Sequence, residues 1–168
     1  MAFTGEREVL SEPRLPVFTG RAWAFTDALA AADILPPSAH ELRAADAARL
    51  LFAGLDADLA GALAANDVLI AGQDCGRGAG AAAAAHALAA AGFVAVVAAS
   101  FAPGFDEALL LAGVPPLQVD APAIFRTGQR LRVNLEQGTI ANLSSGDRQP
   151  IRNLTAPVVE RLRTLLAR

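Results

Sequence analysis

The feature that most constrains the fold is a Gly- and Ala-rich segment in the middle of the chain, with an apolar run on each side. Residues 67–71 and 93–99 are short, predominantly apolar runs of the kind that form buried strands. Between them lie a glycine-rich stretch, residues 72–80, and an alanine tract, residues 81–91, that favours a helix by propensity alone. Gly92 can end this helix in the left-handed conformation. The order predicts a βαβ unit in a parallel sheet covered on both faces.

Weaker patterns precede this unit. Residues 17–25 alternate enough to indicate an extended segment or a first strand pair. Residues 27–36 are predicted as a loop. Ser38, with Glu41 three residues later, has the spacing of a capping box and predicts a helix that continues to Leu50. A second short helix is expected over residues 56–63.

The C-terminal third has a clearer alternation. We expect a short helix over residues 106–112 and an edge segment over residues 114–119. Apolar and polar residues alternate in residues 130–135 and 139–143, on either side of Glu136-Gln137-Gly138. This pattern predicts a hairpin with one solvent-exposed face. A helix from Ala156, capped by Thr155, carries an apolar stripe. Together these elements predict a single three-layer α/β body.

Composition excludes several classes of function. The net charge is −3, and all 14 basic residues are arginines without a basic stripe, so nucleic acid is not an expected partner. The alanine-rich stretch is too weakly apolar and too interrupted to span a membrane. The acidic N-terminus does not resemble a signal peptide, and Cys75 is the only cysteine, so we expect a cytoplasmic protein.

The glycine-rich stretch is the first candidate site. Gly76, Arg77, Gly78, Ala79 and Gly80 lie between a predicted strand and a predicted helix, where free N–H groups at the helix start suit phosphate or carboxylate. The alternative is that the glycines only permit a tight turn. A dinucleotide fingerprint is weak because the spacing is wrong and no acid follows the next strand. A nucleotide P-loop is weaker still because the chain has no lysine.

Other polar residues remain open as candidates. Asp27, Asp33 and Asp74 flank the predicted loops and are either binding residues or solvated turn residues. His40 and His86 are far apart in the sequence and show no triad pattern. Cys75 is interpreted as a small buried hydrophobe because nothing near it in the sequence would activate a nucleophile. No metal site is predicted from these residue types.

The order of short motifs resembles the small subunit of 3-isopropylmalate dehydratase, a member of the aconitase-like hydro-lyases that acts in leucine biosynthesis. The resemblance runs from the first strand, residues 20–27, through Asp33-Ile34-Leu35-Pro36 and the glycine-rich stretch to residues 92–102. It continues at Gly113-Val114-Pro115 and in residues 132–143 with Gly146. It covers nearly the whole chain after residue 17.

The resemblance implies a fold and a partner. The fold would be a β/β/α swivelling domain over residues 17–168, preceded by an irregular segment, residues 1–16. This domain would close over a [4Fe–4S] cluster that a separate, aconitase-like large subunit carries, and this chain would bind no cofactor itself. The complex would isomerise a hydroxy-di- or tricarboxylate by dehydration and rehydration.

The resemblance also shows what this chain lacks. In the family a serine takes the substrate proton and an arginine grips a carboxylate, but those positions are Ala79, Gly80 and Ala81 here, and the family's glutamate is Ala82. The family's Asp-Thr-Asp matches Ala30-Ala31-Ala32. Two functions therefore stay open: a subunit that still helps bind substrate, and a non-catalytic structural or regulatory partner of a large subunit.

The chain purified alone should be colourless and bind no stoichiometric iron, because one cysteine and two distant histidines cannot assemble a cluster site. Absorbance and metal analysis after anaerobic reconstitution with iron and sulfide check this. A stable brown chromophore at one cluster per chain would contradict the swivelling-subunit interpretation.

Overall fold

The computed structural model describes residues 15–166, which contain one mixed sheet of seven strands. The strands are β1 (Val17–Ala24), β2 (Val68–Ile70), β3 (Ala95–Ala98), β4 (Pro116–Gln118), β5 (Arg130–Asn134), β6 (Thr139–Asn142) and β7 (Arg148–Pro150). Their order across the sheet is β4-β3-β2-β1-β5-β6-β7. The α-helices are α1 (Ala31–Ile34), α2 (Ala44–Ala47), α3 (Ala81–Ala90), α4 (Phe105–Ala112) and α5 (Ala156–Leu166).

The first four strands form the parallel half of the sheet. β1 pairs with β2, β2 with β3, and β3 with β4, all in parallel. The unit β2-α3-β3 is the predicted βαβ unit, and Gly92 has the predicted left-handed conformation with φ at +94°. Every residue of β2 and β3 is buried, which explains why neither strand alternates with polar residues.

Two apolar clusters cover the two faces of the parallel strands. Leu69 and Val96 pack with Leu88 of α3 on one face. Val68 and Val97 pack with Ile140 of β6 on the other face. The antiparallel strands therefore fold over the face opposite α3, where they pack together with helix α5.

Hydrogen bonds beyond β7 close this arrangement. The N–H of Arg152 donates to the carbonyl of Gln118 at 2.7 Å, and the side-chain amide of Asn153 donates to the carbonyl of Pro116 at 2.9 Å. The chain thus returns from the antiparallel end to the opposite edge strand, β4. Helix α3, the parallel strands and the antiparallel strands form the three layers, and the predicted β/β/α class is confirmed.

The C-terminal predictions also hold. β5 and β6 form the expected antiparallel hairpin, with Leu131 and Val133 facing the core and Arg130 and Arg132 exposed. Helix α5 begins at Ala156 and places its predicted stripe in the core, as Leu162 is 1% exposed. Strand β7 was not predicted because it is short and polar.

The predictions for residues 27–63 were wrong in detail. The predicted loop contains the short helix α1, which forms because the carboxylate of Asp33 accepts the N–H of Ala30 at 2.9 Å. The predicted helix from Ser38 to Leu50 is divided into two 3₁₀ turns, Pro37–Ala39 and Ala48–Leu50, around α2. Ser38 caps no helix, because Arg43 precedes α2. The second expected helix is a 3₁₀ turn, Leu59–Ala62.

A long-range contact explains why this region is not one helix. The N–H of Phe52 donates to the carbonyl of Ile34 at 2.7 Å, and Phe52 has φ at +61°, which no helix allows. Its ring stacks on Phe25, with the centroids 4.7 Å apart. Tertiary packing therefore overrides the local helical pattern.

Some expectations lie outside the described residues. Most of the irregular segment predicted for residues 1–16 is among them, so the domain boundary stays a prediction. Within residues 15–166, no helix is both long enough and apolar enough to cross a membrane.

One buried carboxylate links β1 to the turn before β2. Asp67 is 2% exposed and accepts hydrogen bonds from the indole N–H of Trp23 at 2.7 Å and the backbone N–H of Ala64 at 2.8 Å. The Arg21 guanidinium lies 3.5 Å from the carboxylate and 4.6 Å from the Trp23 ring centroid. Buried donors without an acceptor are unfavourable, so this carboxylate stabilises both partners.

Replacing Asp67 with Ala should lower the free energy of unfolding by about 2–4 kcal/mol, because the buried indole N–H of Trp23 and the partly buried N–H of Ala64 lose their acceptor. Urea denaturation measures the change. Asp58→Ala is the matched control, since Asp58 is exposed in the same region and should shift stability by less than about 0.5 kcal/mol. Equal effects of the two substitutions would contradict this role of Asp67.

Candidate functional site

The glycine-rich stretch lies at the carboxyl edge of the parallel strands, between two neighbouring loops. Isolated parallel bridges join Ala30 to Arg77 and Cys75 to Phe101. The N–H of Gly76 donates to the carbonyl of Leu29 at 2.7 Å, and that of Cys75 to the carbonyl of Ser100 at 3.1 Å. The stretch is therefore held on both sides by backbone hydrogen bonds.

Gly76 is required by its surroundings. Its φ is +85°, and a Cβ at this position would overlap the ring of Phe105, which begins α4. Only glycine combines this conformation with such a close approach. Phe105 is fully buried, so the contact joins the glycine-rich stretch to the core beneath α4.

The residues just before α3 are open to solvent. Arg77, Gly78 and Ala79 are exposed, and their backbone N–H groups donate to no backbone carbonyl within residues 15–166. The carbonyl of Arg77 accepts the N–H of Ala31 at 2.8 Å, but its guanidinium forms no ion pair in this part of the chain. Free N–H groups, a helix N-terminus and an arginine together make this surface chemically suited to an anion.

The three candidate aspartates do different things. Asp27 accepts the N–H of Gln73 at 2.9 Å and packs against Gly72, where no side chain would fit. Asp33 stabilises the start of α1. Asp74 is exposed, has φ at +54°, and its N–H donates to the hydroxyl of Ser100 at 2.9 Å. The carboxylates of Asp27 and Asp33 are engaged with backbone, whereas that of Asp74 is the exposed carboxylate of the stretch.

Cys75 is buried as expected. Its side chain is fully inaccessible, and burial raises the pKa of its thiol to about 12. A thiol is nucleophilic and binds metals only as the thiolate. Cys75 therefore acts here as a small apolar residue, and the part of the chain that the structure describes contains no group of three or more side chains suited to a metal ion.

The two histidines lie closer together than their positions in the sequence indicate. His40 and His86 line one small cavity of 190 Å³, together with Ala83, which lies on α3 like His86. The imidazole of His40 also lies directly against Gly80, the residue before α3. No local pattern in the sequence could have found this contact, because it joins two segments forty positions apart.

A larger cleft of 580 Å³ opens beside the glycine-rich stretch. The ends of β1 and β2 form one wall, with Phe25, Asp27 and Gln73, and the connection from β4 to β5 forms the other, with Asp120 and Arg126. Clefts at the carboxyl ends of parallel strands are common ligand sites in α/β folds. Among the candidates proposed from the sequence, only Asp27 lines this cleft, and Arg126 was not predicted.

Comparison with known proteins identifies the family. No protein-family model matches the chain. The 3-isopropylmalate dehydratase small subunit of Pyrobaculum neutrophilum is 40% identical over 97 residues, which span 55% of this chain and 60% of that protein. The 3-isopropylmalate dehydratase small subunit 1 of Methanopyrus kandleri is 34% identical over 137 residues and matches 78% of each chain.

A solved structure agrees in fold. The 3-isopropylmalate dehydratase structure from Methanocaldococcus jannaschii superimposes with a TM-score of 0.77, covers 90% of this chain and 98% of that one, and is 21% identical. The likeness in structure supports the fold, and the sequence identity to the Methanopyrus protein over most of both chains supports the family. The chain therefore belongs to the 3-isopropylmalate dehydratase small-subunit family.

Proposed function

We propose that this chain is the small subunit of a hydro-lyase complex of the 3-isopropylmalate dehydratase type. It pairs with an aconitase-like large subunit in the cytoplasm and binds a hydroxy-di- or tricarboxylate at the start of α3. The observation that carries the proposal is the exposed backbone of Arg77, Gly78 and Ala79 at the carboxyl edge of the sheet. The names of the relatives as small subunits support the pairing.

The substrate is held mainly by backbone and by Arg77. A carboxylate at the start of α3 would accept hydrogen bonds from N–H groups that have no backbone acceptor, and the Arg77 guanidinium would supply a charge. Gly78, with φ at +91° and open space around it, allows the substrate to approach the backbone closely. Binding by fixed N–H groups orients the substrate without any side chain at positions 79–82.

A [4Fe–4S] cluster, which the family resemblance places on the large subunit, does not fit the residues of this chain. Cluster iron is held by several thiolates, but Cys75 is the only cysteine. Burial also raises the pKa of its thiol to about 12. The contribution of this chain is to bind and enclose the substrate.

This chain has few side chains that could transfer a proton at the proposed site. Ala79, Gly80 and Ala81 have no side chain that accepts a proton, whereas the family's serine and arginine belong at these positions by resemblance. The carboxylates of Asp27 and Asp33 accept backbone hydrogen bonds, whereas that of Asp74 accepts none within residues 15–166. The same replacement favours the second function, a non-catalytic partner that stabilises or regulates the large subunit.

Arg77→Ala should weaken binding of a malate-type dicarboxylate by about 1.5–3 kcal/mol, because a charge-assisted hydrogen bond is lost. Calorimetric titration with the large subunit present measures this. Arg132→Ala is the control, as Arg132 is exposed on β5 and should leave the affinity unchanged. If Arg126→Ala weakened binding and Arg77→Ala did not, the ligand would lie in the 580 Å³ cleft instead.

Coexpression with the large subunit of the same organism should give a stable complex that isomerises 3-isopropylmalate slowly. Loss of a positioned general base alone lowers rates by about 10²–10⁴-fold. The assay follows the unsaturated intermediate by absorbance. Failure to form a complex contradicts the subunit proposal, and turnover at the usual enzyme rates of about 1–10³ per second contradicts the loss of proton-transfer chemistry.

A further inference from the structure

His40 occupies the space beside the last residue of the glycine-rich stretch. A Cβ at position 80 would lie 2.6 Å from Nε2 and 3.3 Å from Nδ1 of His40. Carbon atoms in contact prefer separations of about 3.5–4.0 Å. Any side chain at position 80 therefore overlaps the imidazole where it now stands.

The imidazole of His40 lies between a 3₁₀ turn and helix α3. His40 follows the 3₁₀ turn Pro37–Ala39, whose last residue is fully buried. The ring lines the 190 Å³ cavity with Ala83 and His86 of α3. Its Nε2 is buried and has no hydrogen-bond partner among residues 15–166.

Gly78 and Gly80 differ in the space available for a side chain. Both have left-handed backbones, with φ at +91° and +97°. A Cβ at Gly78 would meet nothing within 4 Å, whereas a Cβ at Gly80 would meet the His40 ring. Glycine at position 78 is favoured by conformation alone, and glycine at position 80 by conformation and by His40 together.

We propose that His40 is a positioning residue of this site, because its ring leaves room only for glycine at position 80 and excludes the serine that the family resemblance places there. The inference rests on the proposed function. The imidazole stands where that serine would put its side chain, with Cε1 closest to its Cβ and Nε2 next, at 2.6 Å. In this chain the imidazole of His40, from another loop, therefore stands where the resemblance places a serine hydroxyl, and the site is rearranged around His40.

The steric part is tested by a stability cycle on the full chain. Gly80→Ser and Gly78→Ser impose similar backbone strain, but only Gly80→Ser should meet His40. We expect Gly80→Ser to lower the melting temperature by about 4–8 °C more than Gly78→Ser does. With His40→Ala added to each, this difference should disappear. The inference would be overturned if the two serine variants melted at the same temperature with His40 present. It would also be overturned if their difference in melting temperature persisted in the His40→Ala background.

The functional part is tested in the complex with the large subunit. The combination Ala79→Ser, Gly80→Ser, Ala81→Arg and Ala82→Glu restores the family's sequence, and it is made with His40 intact and with His40→Ala. We expect the variant with His40→Ala to turn over 3-isopropylmalate at least about tenfold faster than the variant that keeps His40, as a 1 Å misplacement can cost about 10²-fold. His86→Ala, from the same cavity, is the control and should give no such gain.

The outcomes separate the two proposals. Equal turnover with and without the His40 side chain would overturn the role of His40 as a positioning residue. If neither restored variant is active while the stability cycle shows the expected coupling, the proposed dehydratase function fails and the placement of His40 stands. If His86→Ala raised turnover as much as His40→Ala does, the effect would belong to the cavity as a whole. That result would overturn the assignment to His40.

Discussion

The backbone hydrogen bonds that hold residues 73–77 between their two neighbouring loops are the constraint on which the rest of the site depends. Gly76 donates to Leu29 on one side, and Cys75 both donates to Ser100 and accepts from Ala102 on the other. These bonds fix the glycine-rich stretch at the carboxyl edge of the sheet. The next residues, Arg77, Gly78 and Ala79, are exposed directly before α3.

This arrangement supports the proposal that the site still binds an anion. The anion-binding character of a helix start comes from backbone N–H groups and the helix dipole, so it does not need polar side chains at positions 79–82. Proton transfer depends on a side chain, and the family resemblance places the proton-accepting and carboxylate-binding side chains at positions 79–81, which are Ala, Gly and Ala here. The proposed function follows this division, with binding and enclosure kept and proton transfer by this chain lost.

The sequence predicted the elements whose signal is local. The βαβ unit was predicted because its strands are apolar throughout and its helix is alanine, and the hairpin because β5 alternates. Residues 27–63 were not predicted correctly, because the contact of Phe52 with Ile34 and Phe25 crosses long stretches of chain. The family resemblance implied the three-layer β/β/α class, but not which strands cover the second face.

The candidate site was predicted only in part, for the same reason. Arg77 and the three glycines were found from their position between a strand and a helix. The contact of His40 with Gly80 and the placement of Arg126 in the cleft depend on tertiary packing between distant segments, for which a single sequence carries no periodic signal. The roles of Asp27 and Asp33 in holding backbone could not be separated from binding roles by residue type alone.

The most direct test of the central claim is an experimental structure of this chain in complex with its large subunit and a hydroxy-dicarboxylate. The account predicts that one carboxylate of the ligand lies at the start of α3, hydrogen-bonded to backbone N–H groups of residues 78–81 and to Arg77. It also predicts His40 against Gly80, as in the free chain. A ligand bound without contact to this stretch, or a large subunit docked on another face of the sheet, would contradict it.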